Sequence, residues 1–201
     1  MVDRSGKFEG DNPFDICKRW IAESKDGELN DPNAIALSTV SEDGMPNVRM
    51  VLLKNIDQSA FVFFTNFGSQ KAVEIFDCGK ASFVWHSKFL RRQIRVRGVT
   101  SLESEQASDE YYKSRSLKSR LGAWASIQSK PLNSRKILLD RVEKFTESLG
   151  DDPERPKFWG GFRIIPTAIE FWAEGEARLH DRFLWTKRDP DGQWSIERLY
   201  P

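Results

Sequence analysis

Hydrophobic residues along the chain follow two different spacings, and the change between them separates helical from extended segments. Phe14, Cys17 and Ile21 recur at the spacing of one helix face, directly after Asn12-Pro13, a pair typical of a helix start. The pattern therefore predicts an amphipathic helix over residues 12–27.

Beyond residue 33 the spacing changes to alternation, the pattern of strands that are buried on one face. Turn-forming residues separate the alternating segments, which indicates an antiparallel meander. The predicted strands cover residues 35–40, 48–54, 60–66, 80–86, 92–102, 161–165 and 168–172, and a hairpin over residues 179–198 turns at Asp189-Pro190-Asp191-Gly192.

Two further segments have helical character. Residues 104–120 are polar and compatible with a helix. Residues 134–149 place Leu138, Val142, Phe145 and Leu149 on one buried stripe. About seven strands with three helices indicate a mostly β, α+β fold, in which a small antiparallel barrel closes its edges and helices pack outside it.

Composition excludes several classes of protein. A chain of 201 residues favours one domain, here residues 12–201, and the polar residues 1–11 are expected to form a flexible N-terminal arm. Lys plus Arg is 31 and Asp plus Glu is 30, which argues against nucleic acid as a partner. The longest apolar run is too short to span a bilayer and the start lacks a signal-peptide core, so we expect a cytoplasmic protein with no membrane partner.

The supply of cysteine and histidine argues against metal and disulfide chemistry. Cys17 and Cys78 form no CxxC pair, and with only two His a structural zinc site is not expected. We therefore predict no metal site. The sequence also contains no GxSxG, P-loop or GxGxxG motif.

Three clusters of polar side chains have spacings that put their members on one face of a strand or helix. They are Gln93, Arg95 and Arg97 on a strand, Tyr111, Arg115 and Ser119 if residues 104–120 form one helix, and Arg178, His180 and Arg182 if their segment is a strand. Arg binds phosphate or carboxylate through a planar fork of donors, so each cluster is a candidate anion site. Each also has an ordinary interpretation as a solvated polar face, and spacing alone does not decide between the two.

Taken in order, these segments resemble the pyridoxamine 5′-phosphate oxidase family. The matching stretches run from about residue 12 to residue 201. They include Arg49-Met50-Val51-Leu52-Leu53-Lys54, Phe63-Phe64-Thr65-Asn66, Tyr111-Tyr112-Lys113-Ser114-Arg115, and Glu170-Phe171-Trp172 through Arg178-Leu179-His180-Asp181-Arg182. The last of these is the most specific.

The resemblance implies an FMN-binding split β-barrel, antiparallel and Greek-key-like, which works as a homodimer with FMN at the interface. It implies oxidation of pyridoxamine 5′-phosphate or pyridoxine 5′-phosphate to pyridoxal 5′-phosphate, in vitamin B6 metabolism. A hydride would pass from C4′ to flavin N5, and O2 would then be reduced to H2O2. The flavin carries the redox chemistry, and the protein supplies position and electrostatics.

The resemblance also implies roles for individual positions. The FMN-binding positions are Arg49, Met50, Val51, Leu52, Leu53, Lys54, Phe64, Thr65, Gln70, Lys71, Gln93, Gln128, Ser129, Trp172 and Arg182, several of them expected from the opposite subunit. The substrate-binding positions are Lys54, Tyr111, Arg115, Ser119, Arg178 and His180, of which Arg178 and His180 are the catalytic pair.

Two alternative functions stay open at this point. A split-barrel oxidoreductase could use FMN on another substrate, and it would not need the substrate-side positions such as Arg115 and His180. A non-catalytic carrier would bind pyridoxal 5′-phosphate without producing peroxide. Turnover separates the carrier from the oxidase.

Overall fold

One antiparallel sheet of nine strands forms the body of the protein in the computed structural model, which describes residues 4, 6–187 and 192–201. The strands are β1 (Ala34–Val40), β2 (Pro46–Leu52), β3 (Asn55–Ile56), β4 (Phe61–Asn66), β5 (Lys80–Ser87), β6 (Arg92–Leu102), β7 (Trp159–Ala173), β8 (Asp181–Thr186) and β9 (Ser195–Leu199). Their hydrogen-bonded order is β2-β1-β5-β6-β7-β4-β3, and β8 pairs with β7 and β9. The predicted mostly β, antiparallel fold is confirmed.

Strand β7 connects the two parts of the sheet, because it is long enough to have two partners along one edge. Its first residues pair with β4 and its last residues pair with β8, while β6 runs along its other edge. The prediction of two separate strands over residues 161–165 and 168–172 is wrong. Pro166 lies opposite Gly98 at a shift in the β6–β7 register, and a proline can be accommodated at such an irregularity without ending the strand.

Gly98 is required at this register shift by close packing of two backbones. A Cβ atom at residue 98 would lie 2.1 Å from the carbonyl oxygen of Ile165. Any other residue would push β6 and β7 apart at the place where the sheet bends.

The C-terminal hairpin is formed by β8 and β9, which pair from Arg182 with Leu199 to Thr186 with Ser195. The predicted hairpin is confirmed in these strands. Most of its predicted turn, Asp189 to Asp191, lies outside the described residues.

Five α-helices lie within the described residues: α1 (Pro13–Ser24), α2 (Gln70–Cys78), α3 (Glu105–Ser114), α4 (Leu117–Ala125) and α5 (Arg135–Leu149). Helix α1 begins as predicted, since the Asn12 side chain accepts a hydrogen bond from the Phe14 N–H at 2.9 Å. Helix α2 has no counterpart among the predicted helices. None of the helices in the described residues is long and apolar enough to cross a membrane.

The prediction of one helix over residues 104–120 is wrong, because the backbone breaks between α3 and α4. Arg115 has an extended conformation, with φ −78° and ψ 151°. Ser116 then caps α4, and its hydroxyl accepts a hydrogen bond from the Ser119 N–H at 3.3 Å. A capping serine favours this new helix start over continuation of α3.

The hydrophobic core lies beneath α1, where large aromatic rings meet edge to face. The Trp20 and Phe171 ring centroids are 5.2 Å apart, and those of Phe171 and Trp185 are 4.9 Å apart. Phe8, in the predicted N-terminal arm, is also buried and packs against Trp20 at 5.5 Å. This part of the arm is therefore anchored to the core.

Helix α5 lies against α4 and away from the main core. Its predicted buried stripe is only half-buried, and no residue of α5 is fully buried. Phe145 packs against Trp124 with ring centroids 5.8 Å apart. The outward side leaves Ile137 and Leu139 44% and 53% exposed. The stripe prediction was therefore right about which residues face inward and wrong about the degree of burial.

Candidate active site

A cavity of about 610 Å³ opens where the curled sheet does not close, between the free edge of β2 and strand β4. Its size is in the range of small-molecule sites. The predicted site residues that line it are Arg49, Met50, Val51, Leu52, Lys54, Phe64, Thr65, Gln70, Lys71, Tyr111, Arg115, Gln128 and Ser129. The fold thus brings together residues from β2, β4, α2, α3 and the segment after α4.

Two predicted positions on these elements do not line the cavity. Leu53 is buried in the hydrophobic core, because side chains alternate along an extended segment and its neighbours Leu52 and Lys54 take the cavity side. Ser119 is exposed on α4, and its hydroxyl bonds to that of Ser116 at 2.9 Å. The break at Arg115 separates Ser119 from the face that a single helix would have shared with Tyr111.

Stacked aromatic rings form one wall of the cavity. Phe64 and Tyr111 stack with centroids 4.2 Å apart, and Phe64 and Trp159 stack at 5.5 Å. Trp159 is a cavity residue that is absent from the predicted set. Its place beside Phe64 follows from the pairing of β7 with β4, which a single sequence does not reveal.

Arg115 lies against this wall with an unused donor. Its guanidinium carbon is 4.9 Å from the centroid of Trp159, and its buried NH1 atom has no hydrogen-bond partner among the described residues. Burial lowers the pKa of this guanidinium. The usual pKa of arginine is so high that the group nevertheless stays charged. A buried, unpaired cationic donor at a cavity wall favours an anionic ligand.

Lys71, on α2, is a second buried cation. Only 8% of the residue is exposed, and its ammonium donates to the hydroxyls of Thr65 and Ser69, both at 3.2 Å. Burial and the charge of Arg49 lower the pKa of this ammonium, while Glu74 acts in the opposite direction. The group lacks a directly bonded counter-ion within the described structure, so an anion in the cavity would complete its environment.

Glu74 lies behind this end of the cavity and is 3% exposed. Burial alone would raise the pKa of its carboxyl. Hydrogen bonds from Thr39, Gln70 and Asn47 and the charge of Arg49 more than offset that effect and lower the pKa to about 2. The carboxylate is absent from the predicted site residues. A signal for it exists, since Gln70 and Glu74 are four residues apart and share one face of α2.

The remaining predicted positions form a second cluster on the same chain. Gln93 pairs with Trp172 across β6 and β7, and Trp172 pairs with Arg182 across β7 and β8, so the three form one cross-strand row. The buried carboxylate of Glu170 accepts hydrogen bonds from Arg95 and Arg182, each at 2.9 Å. None of these five described residues lines the cavity.

Arg178 and His180 lie in a tight turn beside this row. The His180 Nδ1 atom accepts a hydrogen bond from the Gly175 N–H at 3.2 Å, and its ring centroid is 4.6 Å from that of Trp172. Ala177 and Arg178 both have positive φ values, 51° and 63°, which is uncommon for residues with a side chain. Such strain is typical of functional turns, and this one leaves the Arg178 side chain exposed.

Gly175 permits this turn because the chain returns on itself there. A Cβ atom at residue 175 would lie 2.0 Å from the carbonyl oxygen of Leu179. The position of His180 therefore depends on a residue that has no side chain.

Comparison with known proteins finds matches to one family. Residues 22–148 match the family described as pyridoxamine 5′-phosphate oxidase, and residues 159–201 match the pyridoxine 5′-phosphate oxidase C-terminal dimerisation region. A pyridoxine/pyridoxamine 5′-phosphate oxidase of Roseobacter denitrificans is 60% identical over 201 residues, and one of Cereibacter sphaeroides is 62% identical over 200 residues. Both alignments cover 100% of this chain and 100% of the relative.

Solved structures show the same architecture. The crystal structure of PhzG from Burkholderia lata, in complex with tetrahydrophenazine-1-carboxylic acid, has a TM-score of 0.90 and 27% identity, covering 100% of this chain and 98% of that chain. A pyridoxamine 5′-phosphate oxidase-related, FMN-binding protein from Nostoc punctiforme has a TM-score of 0.76 and 20% identity, covering 94% and 98%. The second likeness shows the fold alone.

The ionised Glu74 carboxylate gives a prediction for stability against pH. Its pKa is about 2 in the folded protein and 4.5 in the reference state, so its contribution is fully present above pH 4.5 and is lost as pH falls toward 2. At about 1.36 kcal/mol per pKa unit, this difference is worth ~3 kcal/mol. We expect urea unfolding of Glu74→Gln, at fixed protein and FMN concentration, to lose much of the wild-type decline in unfolding free energy between pH 4.5 and 2.

Asp77→Asn is the matched control, because Asp77 lies on the same helix with its side chain exposed. It should reproduce the wild-type pH profile. Identical profiles for wild type and Glu74→Gln would contradict the assignment.

Proposed function

This chain belongs to the pyridoxamine 5′-phosphate oxidase family, and from that premise we propose that it oxidises pyridoxamine 5′-phosphate or pyridoxine 5′-phosphate to pyridoxal 5′-phosphate. It is an oxidoreductase of vitamin B6 metabolism with FMN as its cofactor. Its C-terminal region, residues 159–201, is the family's dimerisation region, and the protein is a homodimer.

The observation that carries the proposal is the buried, unpartnered NH1 atom of Arg115 at the cavity wall. Lys54 lies nearby, with its ammonium 5.7 Å from the centroid of Tyr111. A phosphate would accept charge-assisted hydrogen bonds from both cations, whereas an uncharged ligand would leave the buried donor of Arg115 unpaired. We therefore place the substrate phosphate at Lys54, Tyr111 and Arg115.

The other end of the cavity fits the phosphate of FMN. Arg49 and Lys71 lie there together, and Lys71 is buried with only hydroxyls as hydrogen-bond partners within the described structure. Between the two ends the free edge of β2 offers unpaired backbone donors and acceptors at Met50 and Leu52, which alternate with residues bonded to β1. Such groups suit the hydrogen-bonding edge of a flat heterocycle, and Gln128 and Ser129 add side-chain partners.

Bound FMN would supply the acceptor for a hydride from C4′ of the substrate and would pass the electrons to O2, which becomes H2O2. The protein's part in this scheme is to hold the substrate and FMN, both phosphorylated, in a fixed position relative to each other. Fixing both phosphates sets the distance between the reacting atoms, which lowers the entropy cost of reaching the transition state.

The second cluster is proposed to complete the site of the other subunit. Gln93, Trp172 and Arg182 form an ordered row outside this chain's cavity, beside the exposed turn that carries Arg178 and His180. The hydrogen bond that His180 Nδ1 accepts from Gly175 assigns the proton of the neutral ring to Nε2. His180 would then present an N–H, and Arg178 a cation, to charge that develops as the hydride leaves.

Oxygen uptake tests the function. The purified protein should be yellow. With either substrate it should form one H2O2 for each O2 that it consumes, and it should release ammonia only from pyridoxamine 5′-phosphate. A protein that binds pyridoxal 5′-phosphate but produces no peroxide would be a carrier. A flavoprotein that oxidises neither substrate would support the alternative of another substrate.

Replacement of the proposed catalytic pair should separate turnover from flavin binding. We expect Arg178→Ala and His180→Ala each to lower kcat/KM by about 10²–10³-fold, because each removes a group that stabilises or orients the reacting centre. The flavin absorbance per protomer should stay at the wild-type level. Glu176→Gln, an exposed position in the same turn, should retain activity. Loss of bound flavin in both alanine variants would contradict a substrate-side role.

Arg115→Ala should act mainly on substrate affinity. A hydrogen bond to a charged group contributes about 1.5–3 kcal/mol, so KM for the phosphorylated substrate should rise roughly 10–100-fold with a smaller change in kcat. Lys113→Ala removes a charge at an exposed position of α3, two residues before Arg115, and should leave KM near wild type. An unchanged KM in Arg115→Ala would remove this residue from the phosphate site.

A further inference from the structure

Glu74 is a buried carboxylate that does not line the cavity but contacts three residues that do. Its Oε1 atom accepts hydrogen bonds from Asn47 at 3.1 Å and Gln70 at 3.0 Å, and its Oε2 atom accepts one from Arg49 at 3.2 Å. Thr39 donates a further hydrogen bond to Oε2. Two bonds to each oxygen occupy about all the acceptor sites of a carboxylate.

Thr39 links the Glu74 carboxylate to the Arg49 guanidinium. Its buried hydroxyl donates to Glu74 and accepts from NH1 of Arg49. Arg49 also donates from NH1 to the carbonyl oxygen of Asn47 at 3.2 Å. Three of the five guanidinium N–H donors are therefore bonded within the protein, and the planar group has one orientation in which all three bonds form.

We propose that Glu74 is a positioning residue for the FMN phosphate: from behind the cavity wall it fixes Arg49, Asn47 and Gln70 in the orientation that receives the phosphate. The inference rests on the proposed function, which places that phosphate at Arg49 and Lys71. It adds a residue that does not itself touch the flavin.

The negative charge of Glu74 opposes phosphate binding, so its presence beside this site needs a structural explanation. A carboxylate beside a phosphate-binding site weakens the attraction of Arg49 and Lys71 for a dianion. By charge alone, the cavity would bind phosphate better without it. The structural gain is order: a long arginine side chain loses rotamer freedom on binding, and a site that holds it beforehand avoids that cost when the ligand arrives.

These two effects predict opposite results for Glu74→Gln, which removes the charge and retains the shape. Loss of the charge alone would tighten FMN binding. Loss of positioning would weaken it, because the new amide NH2 faces side chains that are themselves donors. We expect the FMN dissociation constant to rise tenfold or more.

The measurement is the recovery of flavin fluorescence when the full-length protein, loaded with FMN or with riboflavin, is diluted. Riboflavin lacks the phosphate, so its dissociation constant should change less than twofold in Glu74→Gln. Asp77→Asn removes one negative charge at an exposed position of the same helix and should leave both dissociation constants near wild type. Unchanged or tighter FMN binding in Glu74→Gln, or an equal loss of both flavins, would overturn the inference.

A second pair of variants tests the same idea without changing any charge. Thr39→Val removes the hydroxyl between Glu74 and Arg49, and should raise the FMN dissociation constant about three- to tenfold, whereas Thr39→Ser should restore it. This pair decides the question if Glu74→Gln does not fold. Wild-type affinity in Thr39→Val would overturn the positioning role.

Lys71→Ala distinguishes failure of this inference from failure of the proposed function. If Lys71→Ala weakens FMN and spares riboflavin while Glu74→Gln changes neither, the phosphate site stands and only the role of Glu74 falls. If Lys71→Ala changes neither flavin, the phosphate is not at this end of the cavity, and the proposed FMN placement falls together with the role of Glu74. The oxidase activity itself is then judged by oxygen uptake alone.

Discussion

Strand β7 has three neighbours, and the arrangement of the other strands follows from its pairing. Its first residues pair with β4 and its last with β8 along one edge, while β6 occupies the other. The bend beside Gly98 allows β6 and β7 to stay paired as the sheet curls. Because β4 is reached through β7 and β2 through β1, the two ends of the sheet meet without pairing.

The cavity proposed as the active site lies at this unpaired seam. A free strand edge exposes backbone donors and acceptors, which usually invite aggregation unless something covers them. Here the edge of β2 forms one wall of a cavity, with Phe64, Tyr111 and Trp159 stacked on another. A flat ligand seated there would satisfy the edge and place its ring beside side chains from several elements.

The near-neutral total charge conceals a strongly uneven local distribution. Lys71 and the NH1 atom of Arg115 are buried at the cavity with no carboxylate bonded to either within the described structure, whereas Arg95 and Arg182 share the buried carboxylate of Glu170. Unpaired buried cations cost folding free energy and are retained where a ligand compensates them. The second cluster is already internally compensated, so its geometry is set before any partner or ligand arrives.

The sequence by itself determined the strand pattern, the first helix and the family, because alternation, capping residues and specific motifs are local signals. Residues 92–102 form β6 with the predicted bounds, and Asn12 caps α1. The break at Arg115, which separates Ser119 from Tyr111, also has a local cause in the capping residue Ser116. Tertiary structure alone decided the burial of Leu53 and the place of Glu74 behind the cavity. From sequence alone, a carboxylate on a short helix such as α2 would be interpreted as an ordinary solvated charge. Only packing of α2 against β1 and β2 brings Thr39, Asn47 and Arg49 within hydrogen-bond distance of it, and its proposed role rests on that contact.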